Sequence, residues 1–195
     1  MTVIIDGCGT NMYSIVCALK RLGDQPIISA DPNVIRSADR VILPGVGHAK
    51  FMMNRLIQRG LVPVIQELTQ PVLGICLGFA LLYEHSDEGD VPCLGLIPGR
   101  ITRFPSIDLP LPHMGWNSLN TITDHPLMFG VQRNDFVYFV HSYIAGVSPH
   151  TIATSQYGVD FSAACSYRNF SATQFHPERS AQTGARILKN FLEMR

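Results

Sequence analysis

The sequence predicts an α/β fold: an open, mostly parallel sheet flanked by helices, with antiparallel strands in the carboxyl-terminal half. Three observations carry this reading. Short apolar runs alternate with amphipathic helical stretches as far as about His85, which implies parallel strands joined by helical crossovers. Beyond His85 the texture changes to short strands punctuated by turn residues. Finally, 195 residues without repeat, low-complexity tract or linker are expected to form one domain, 1–195, that buries roughly 70% of the surface exposed in the unfolded chain.

The elements follow in order. Val3-Ile4-Ile5 is a short apolar strand, and a turn at Gly7 and Gly9 leads to a helix with Met12, Ile15, Val16, Leu19 and Leu22 at helical spacing. Gly23 ends that helix. Pro26 to Ile28 reads as a second strand, Asp31-Pro32-Asn33 as a turn, and Arg40 to Leu43 as a third strand stopping at Pro44-Gly45. Helical stretches from about Lys50 to Gln58 and from Pro63 to Leu68 precede the strand Val72 to Ile75. Later strands read over His113 to Ile122, Phe136 to Ile144, Thr151 to Gln156, Ser162 to Tyr167 and Ser171 to Phe175. The last helix, expected to be capped by Ser180, sets Ala185, Ile187, Leu188, Phe191 and Leu192 on one face against the sheet.

Composition excludes several classes of function. Charged side chains make up 15% of the chain, against roughly a quarter in an ordinary globular protein, and 15 Lys+Arg balance 15 Asp+Glu. Without a basic stripe, neither a nucleic acid nor an anionic lipid surface is an expected partner. The most apolar window, Val72 to Tyr83, is too short and too rich in glycine for a membrane span. The opening MTVIID has no basic region before Asp6, so the chain is expected to be cytoplasmic with its cysteines reduced. No dinucleotide fingerprint survives, because Met12 stands where the third glycine belongs. No metal or other cofactor is expected, since no metal-ligand spacing occurs.

Gly74-Ile75-Cys76-Leu77-Gly78 lies where an apolar strand turns into a helix, the setting of a nucleophile elbow with Cys in place of Ser. Such a turn needs small neighbours, lifts the thiol above the sheet and sets it at a helix amino terminus. Taken alone, the pentapeptide reads equally well as a small buried cysteine in a tight turn. A nucleophilic thiol needs a base, and His176 has a carboxylate two residues on, in His176-Pro177-Glu178 at a strand end. If Pro177 keeps the backbone extended, Glu178 shares a face with His176 and can orient one ring nitrogen while the other meets the thiol. Gly45, Val46 and Gly47 after the third strand offer bare backbone N–H groups for a developing oxyanion. On its own that stretch is an ordinary turn ending a parallel strand.

Taken together, these residues resemble a class I glutamine amidotransferase. Leu43-Pro44-Gly45-Val46-Gly47, Pro112-His113-Met114-Gly115-Trp116-Asn117, Tyr138-Phe139-Val140-His141-Ser142-Tyr143 and Gln174 to Ser180 are similar to the glutaminase subunits of imidazole glycerol phosphate synthases. The resemblance implies that Cys76 attacks the glutamine carboxamide, His176 passes a proton to departing ammonia and Glu178 orients His176. It also implies oxyanion donors at Val46 or Gly47 and at Leu77, with His141, Ser142 and Tyr143 at the amino-acid end of glutamine. The implied partner is a (β/α)8-barrel cyclase subunit, met as a heterodimer through Asn11, Trp116, Tyr138 and Arg179. It would use the ammonia to make imidazole glycerol phosphate and an aminoimidazole carboxamide ribotide. A lone Trp116 in a strand is, by composition, more often core than contact.

The chain departs from the family at three points. Ala80 follows Phe79 where the family carries a substrate-binding Gln, Cys8 stands at a usual glycine, and Ala181 stands where glycine often follows His-Pro-Glu-x-Ser. Losing the amide at Ala80 costs on the order of 1 to 3 kcal/mol, about ten- to a hundredfold in glutamine affinity. Two alternatives therefore stand beside the main expectation: a docking subunit with weak glutamine use, and a paralogous glutaminase serving a surface-polysaccharide amination enzyme.

Overall fold

The computed structural model describes residues 1–7, 12–106 and 108–194. In chain order the elements are β1 (Thr2–Ile5), α1 (Tyr13–Arg21), β2 (Ile27–Ser29), α2 (Pro32–Arg36), β3 (Arg40–Gly45), α3 (Ala49–Gln58) and α4 (Leu61–Gln66). There follow β4 (Val72–Cys76), α5 (Leu77–Leu82), β5 (Tyr83–Ser86), β6 (Val91–Pro92), β7 (Ile97–Arg103) and β8 (His113–Ser118). The chain closes with β9 (Phe136–His141), β10 (Tyr143–Ala145), β11 (Thr151–Tyr157), β12 (Val159–Tyr167), β13 (Phe170–Thr173) and α6 (Ala181–Glu193).

Among the described residues the main sheet has seven strands in the order β11-β12-β13-β4-β3-β1-β2. Its β13-β4-β3-β1-β2 portion is parallel, while β11–β12 and β12–β13 pair antiparallel. The predicted division between halves is therefore present, with β13 returning to the parallel centre. A small sheet, β10-β7-β5-β6, and the antiparallel ribbon β8-β9 stand apart from it.

Successive side chains of a strand point to opposite faces, and the core divides accordingly. Val3 and Ile5, with Val41 and Leu43, join one apolar cluster with α2 to α5 and the small sheet, whereas Ile4 and Ile42 join another with α1, α6 and β9. Among the described residues no helix is long and apolar enough to cross a membrane.

Several local expectations are corrected. Asp31 to Asn33 opens a helix rather than a simple turn, because Asp31 Oδ1 accepts from Asn33 N–H at 2.8 Å and Pro32 suits the first helical position. The stretch Phe136 to Ile144 breaks at Ser142, so that β10 leaves the ribbon and pairs with β7. β5 and β6 are short, and β7 pairs with β5 through an irregular register, so the sequence does not mark these three as strands. The Ser180 side chain does not cap α6: its hydroxyl donates to the His176 carbonyl at 2.6 Å and accepts from Tyr138 N–H at 2.9 Å. It ties the His176 turn to β9 instead.

Candidate active site

β4 ends at Cys76 and α5 starts at Leu77, so the reversal falls on one residue, with Cys76 at φ +55° and ψ −105°. A non-glycine residue held there stores about 1 to 3 kcal/mol and persists only where its surroundings dictate it. The flanking glycines do this by close approach. A Cβ on Gly78 would lie 1.9 Å from the Leu43 carbonyl oxygen, and one on Gly74 would lie 2.8 Å from the Gly78 oxygen. Any larger residue would push α5 off β3 and β4. Gly45 belongs to the same packing, since a Cβ there would meet Leu77 Cβ and Met52 Sδ at 2.8 Å. Gly45 itself is buried in this packing, while the next two residues, Val46 and Gly47, line the cavity beside Cys76.

His176 follows β13 after two residues, and Glu178 reaches it across a 3₁₀ turn, Pro177–Arg179, rather than along the extended chain that the sequence suggested. Glu178 Oε1 lies 2.7 Å from His176 Nδ1, and the two side chains are only 6% and 7% exposed. Burial disfavours charge on the ring. The Cys76 sulfur and the Glu178 carboxylate outweigh it and raise the His176 pKa to about 10. His176 Nε2 is buried and makes no hydrogen bond within ordinary limits to any described residue, which leaves it turned to the thiol and whatever the thiol attacks. The Cys76 thiol itself points toward the Val140 carbonyl at 3.8 Å.

Cys76 and His176 open on a cavity of about 320 Å³, at the lower end of small-molecule clefts. Val46, Gly47, Leu77, His141, Ser142 and Tyr143 all line it. Gly47 has φ +99°, a conformation that suits glycine. Trp116 is 52% exposed and meets the half-buried Tyr138 edge to face, ring centroids 6.1 Å apart. Trp116 is therefore a surface residue and not a core one. Arg179 is exposed on the turn beside them. Asn11 and Cys8 lie outside the described residues.

The family model for class I glutamine amidotransferases matches residues 3–194. The chain belongs to the class I glutamine amidotransferases. Within this family it is 51% identical, over 99% of its length and 96% of the relative's, to imidazole glycerol phosphate synthase subunit HisH of Haemophilus influenzae. It is 50% identical to HisH of Mannheimia succiniciproducens, covering 99% of both chains. Among solved structures, a putative GMP synthase component from Thermoplasma acidophilum superposes with a TM-score of 0.75 at 19% identity, covering 99% of this chain and 92% of that one. A second solved glutamine amidotransferase superposes at 0.76 with 17% identity, covering 98% and 97%. These two likenesses speak for the amidotransferase fold.

Some wall residues of this class I amidotransferase escaped the sequence reading. Glu88 lines the cavity, one oxygen fixed by the Ala49 N–H at 2.8 Å. No motif marks it, because β5 and β6 bring it in from a loop. Gln174 also faces the cavity and is 3% exposed. It could have been found as the residue two before His176 in an extended approach. Ala80 is on the wall as well, where it presents a methyl group and no hydrogen-bonding atom.

Proposed function

We propose that the chain is the glutaminase subunit of an imidazole glycerol phosphate synthase. It releases ammonia from L-glutamine and delivers it, in the cytoplasm, to a (β/α)8-barrel cyclase subunit. The observation that carries the reading is the buried Glu178–His176 pair behind a strained Cys76, with Cys76 and His176 opening on one amino-acid-sized cavity.

The steps follow from the atoms present. The Cys76 sulfur, as thiolate, attacks the carboxamide carbon. The carbonyl oxygen becomes an oxyanion, which takes backbone N–H groups at Leu77 and at Val46 or Gly47 as donors. The His176 ring, protonated at neutral pH, gives its Nε2 proton to the departing amine, leaving ammonia and a glutamyl thioester on Cys76. Neutral His176 then takes a proton from water as that water attacks the thioester. Glutamate leaves and the thiolate is restored. Glu178 holds the ring through Nδ1 and stabilises its charge. At the amino-acid end, His141, Ser142 and Tyr143 form one wall, and Glu88 supplies a carboxylate for the substrate ammonium.

The partner surface is the outer face of the ribbon. On paired strands, Met114 with Val140, Trp116 with Tyr138 and Ser118 with Phe136 share that face, and none of the six side chains is charged. Arg179 adjoins it. The relatives' name favours the histidine-pathway acceptor over a polysaccharide one.

Ala80 favours a second reading in which glutamine is used weakly, because that stretch of wall offers the substrate no polar partner. Replacing Ala80→Gln is expected to lower the KM for glutamine about tenfold. An unchanged KM would set this reading aside. The main reading is tested by glutamate release with and without a barrel subunit carrying its ribotide ligand. Release is expected from the assembled pair and is lost in Cys76→Ala, and undiminished release by that variant would overturn the mechanism.

A further inference from the structure

Behind the glutamine-facing wall, His141 and Tyr143 join a row of polar groups whose other members, His113 and Asn117, the mechanism does not use. His141 Nδ1 sits 2.9 Å from the Tyr143 carbonyl oxygen. A carbonyl only accepts, so Nδ1 carries the hydrogen and Nε2 of the neutral ring is a bare acceptor. That Nε2 lies 3.0 Å from His113 Nδ1. His113 must therefore donate from Nδ1, which leaves its own Nε2 bare in turn. Asn117 Nδ2 lies 3.3 Å from that atom. The orientation of the Asn117 amide is fixed twice, because Nδ2 donates to the Gln156 carbonyl at 2.8 Å and Oδ1 accepts from Ser118 N–H at 2.8 Å. Each donor in the row thus dictates the tautomer of the next ring, from Asn117 to His113 to His141 to the Tyr143 carbonyl.

The row is enclosed by aromatic rings. His113 stacks on Tyr157 and Phe139, with centroids 4.1 and 4.9 Å away, and His141 packs against Phe104 and Phe161. Both histidines are buried, and burial lowers their pKa values to about 4 and about 3. His141 shares the cavity with Cys76 and His176. A second imidazolium there would oppose the proton on His176.

We propose that Asn117 and His113 are positioning residues that act through His141, locking it as a neutral Nδ1–H donor and so fixing the Val140–Tyr143 wall against which glutamine binds. This rests on the glutaminase reading for its substrate and deepens it by naming what holds that wall. The β9–β10 break at Ser142 is where the row acts. There β9 gives up its pairing with β8, and the Tyr143 carbonyl is held by a side chain.

The test pairs two variants with two readouts. His113→Phe keeps the stacked ring but removes the donor, while His113→Asn restores an N–H near the position of Nδ1. Ring-nitrogen NMR of the parent at neutral pH is expected to show both His113 and His141 protonated at Nδ1 and bare at Nε2. In His113→Phe the His141 Nε2 signal should move to that of a free lone pair, and His113→Asn should bring it back. In glutamate release by the complex with the barrel subunit, His113→Phe is expected to raise KM for glutamine about tenfold with kcat changed less. His113→Asn is expected to recover most of that loss. An Nε2–H tautomer on either ring of the parent overturns the relay. So does a folded His113→Phe variant with parental KM. A parent complex that releases no glutamate while both rings keep these tautomers sinks the glutaminase reading and the substrate role together, whereas wrong tautomers in an active parent sink the relay alone.

Discussion

His176 keeps its proton to about pH 10 although it is buried, because the Cys76 sulfur and the Glu178 carboxylate compensate the charge. The linkage has a definite sign. A folded-state pKa above the unfolded value of about 6.5 stabilises the fold fully below that value, and the gain is lost as pH rises through about 10. Glu178→Gln should therefore cost most stability near neutral pH, with the difference from the parent shrinking toward pH 10 in denaturant unfolding. A difference that stays constant with pH would contradict this. The same variant should lower kcat for glutamate release about a hundredfold, the size of a general acid–base contribution. The triad was legible because thiol chemistry restricts residue types and their spacing. Glu88 was not, because a carboxylate in a polar loop is ordinary until folding turns it into a cavity. A glycine beside a site looks the same in sequence whether it faces the ligand or lets two elements touch, as Gly45 lets Leu77 and Met52 approach β3.

The strand-to-helix turn at Cys76 depends on the passage of α5 over β3. Gly78→Ala is expected to destabilise the protein by about 3 kcal/mol, since the added Cβ would fall 1.9 Å from the Leu43 oxygen. It should also slow alkylation of Cys76, and a variant as stable as the parent would refute the packing account. The entrance to α6 offers the opposite case. Ala181 sits at φ +47°, a conformation costly for any residue with a Cβ. Ala181→Gly is thus expected to raise stability by about 1 kcal/mol, the relief of strain exceeding the added freedom of the unfolded chain, as thermal unfolding would show. Long periodic elements such as α1, α3 and α6, and the buried parallel strands, were readable from apolar spacing. α2 was hidden by its own cap, since Asp-Pro-Asn suits a turn and a helix start equally. β5 to β7 were hidden because their pairing is short and partly irregular, so neither period nor composition marks them.

For the molecule as a whole, the shortage of charge is visible on one face of the β8-β9 ribbon. Met114, Trp116 and Phe136 are all more than half exposed on a ribbon face without a charged side chain, and interface cores are depleted in charge in the same way. Trp116→Glu should weaken binding of the barrel subunit by about 2 kcal/mol or more while leaving the unfolding transition in place, as titration calorimetry would measure. Unaltered binding would separate the low charge from any partner on this face. Behind that face lie the row from Asn117 to His141 and the wall of the cavity, so the proposed docking face and the proposed substrate wall belong to one two-stranded ribbon. The central claim, that Cys76 is the nucleophile of a glutamine site, is tested most directly by labelling. A glutamine analogue with an electrophilic carbon in place of the carboxamide is incubated with the complex, and the modified residue is located by mass spectrometry. A single label on Cys76, slowed by added glutamine, is the predicted result. A label elsewhere, or a rate that glutamine leaves unchanged, would contradict it.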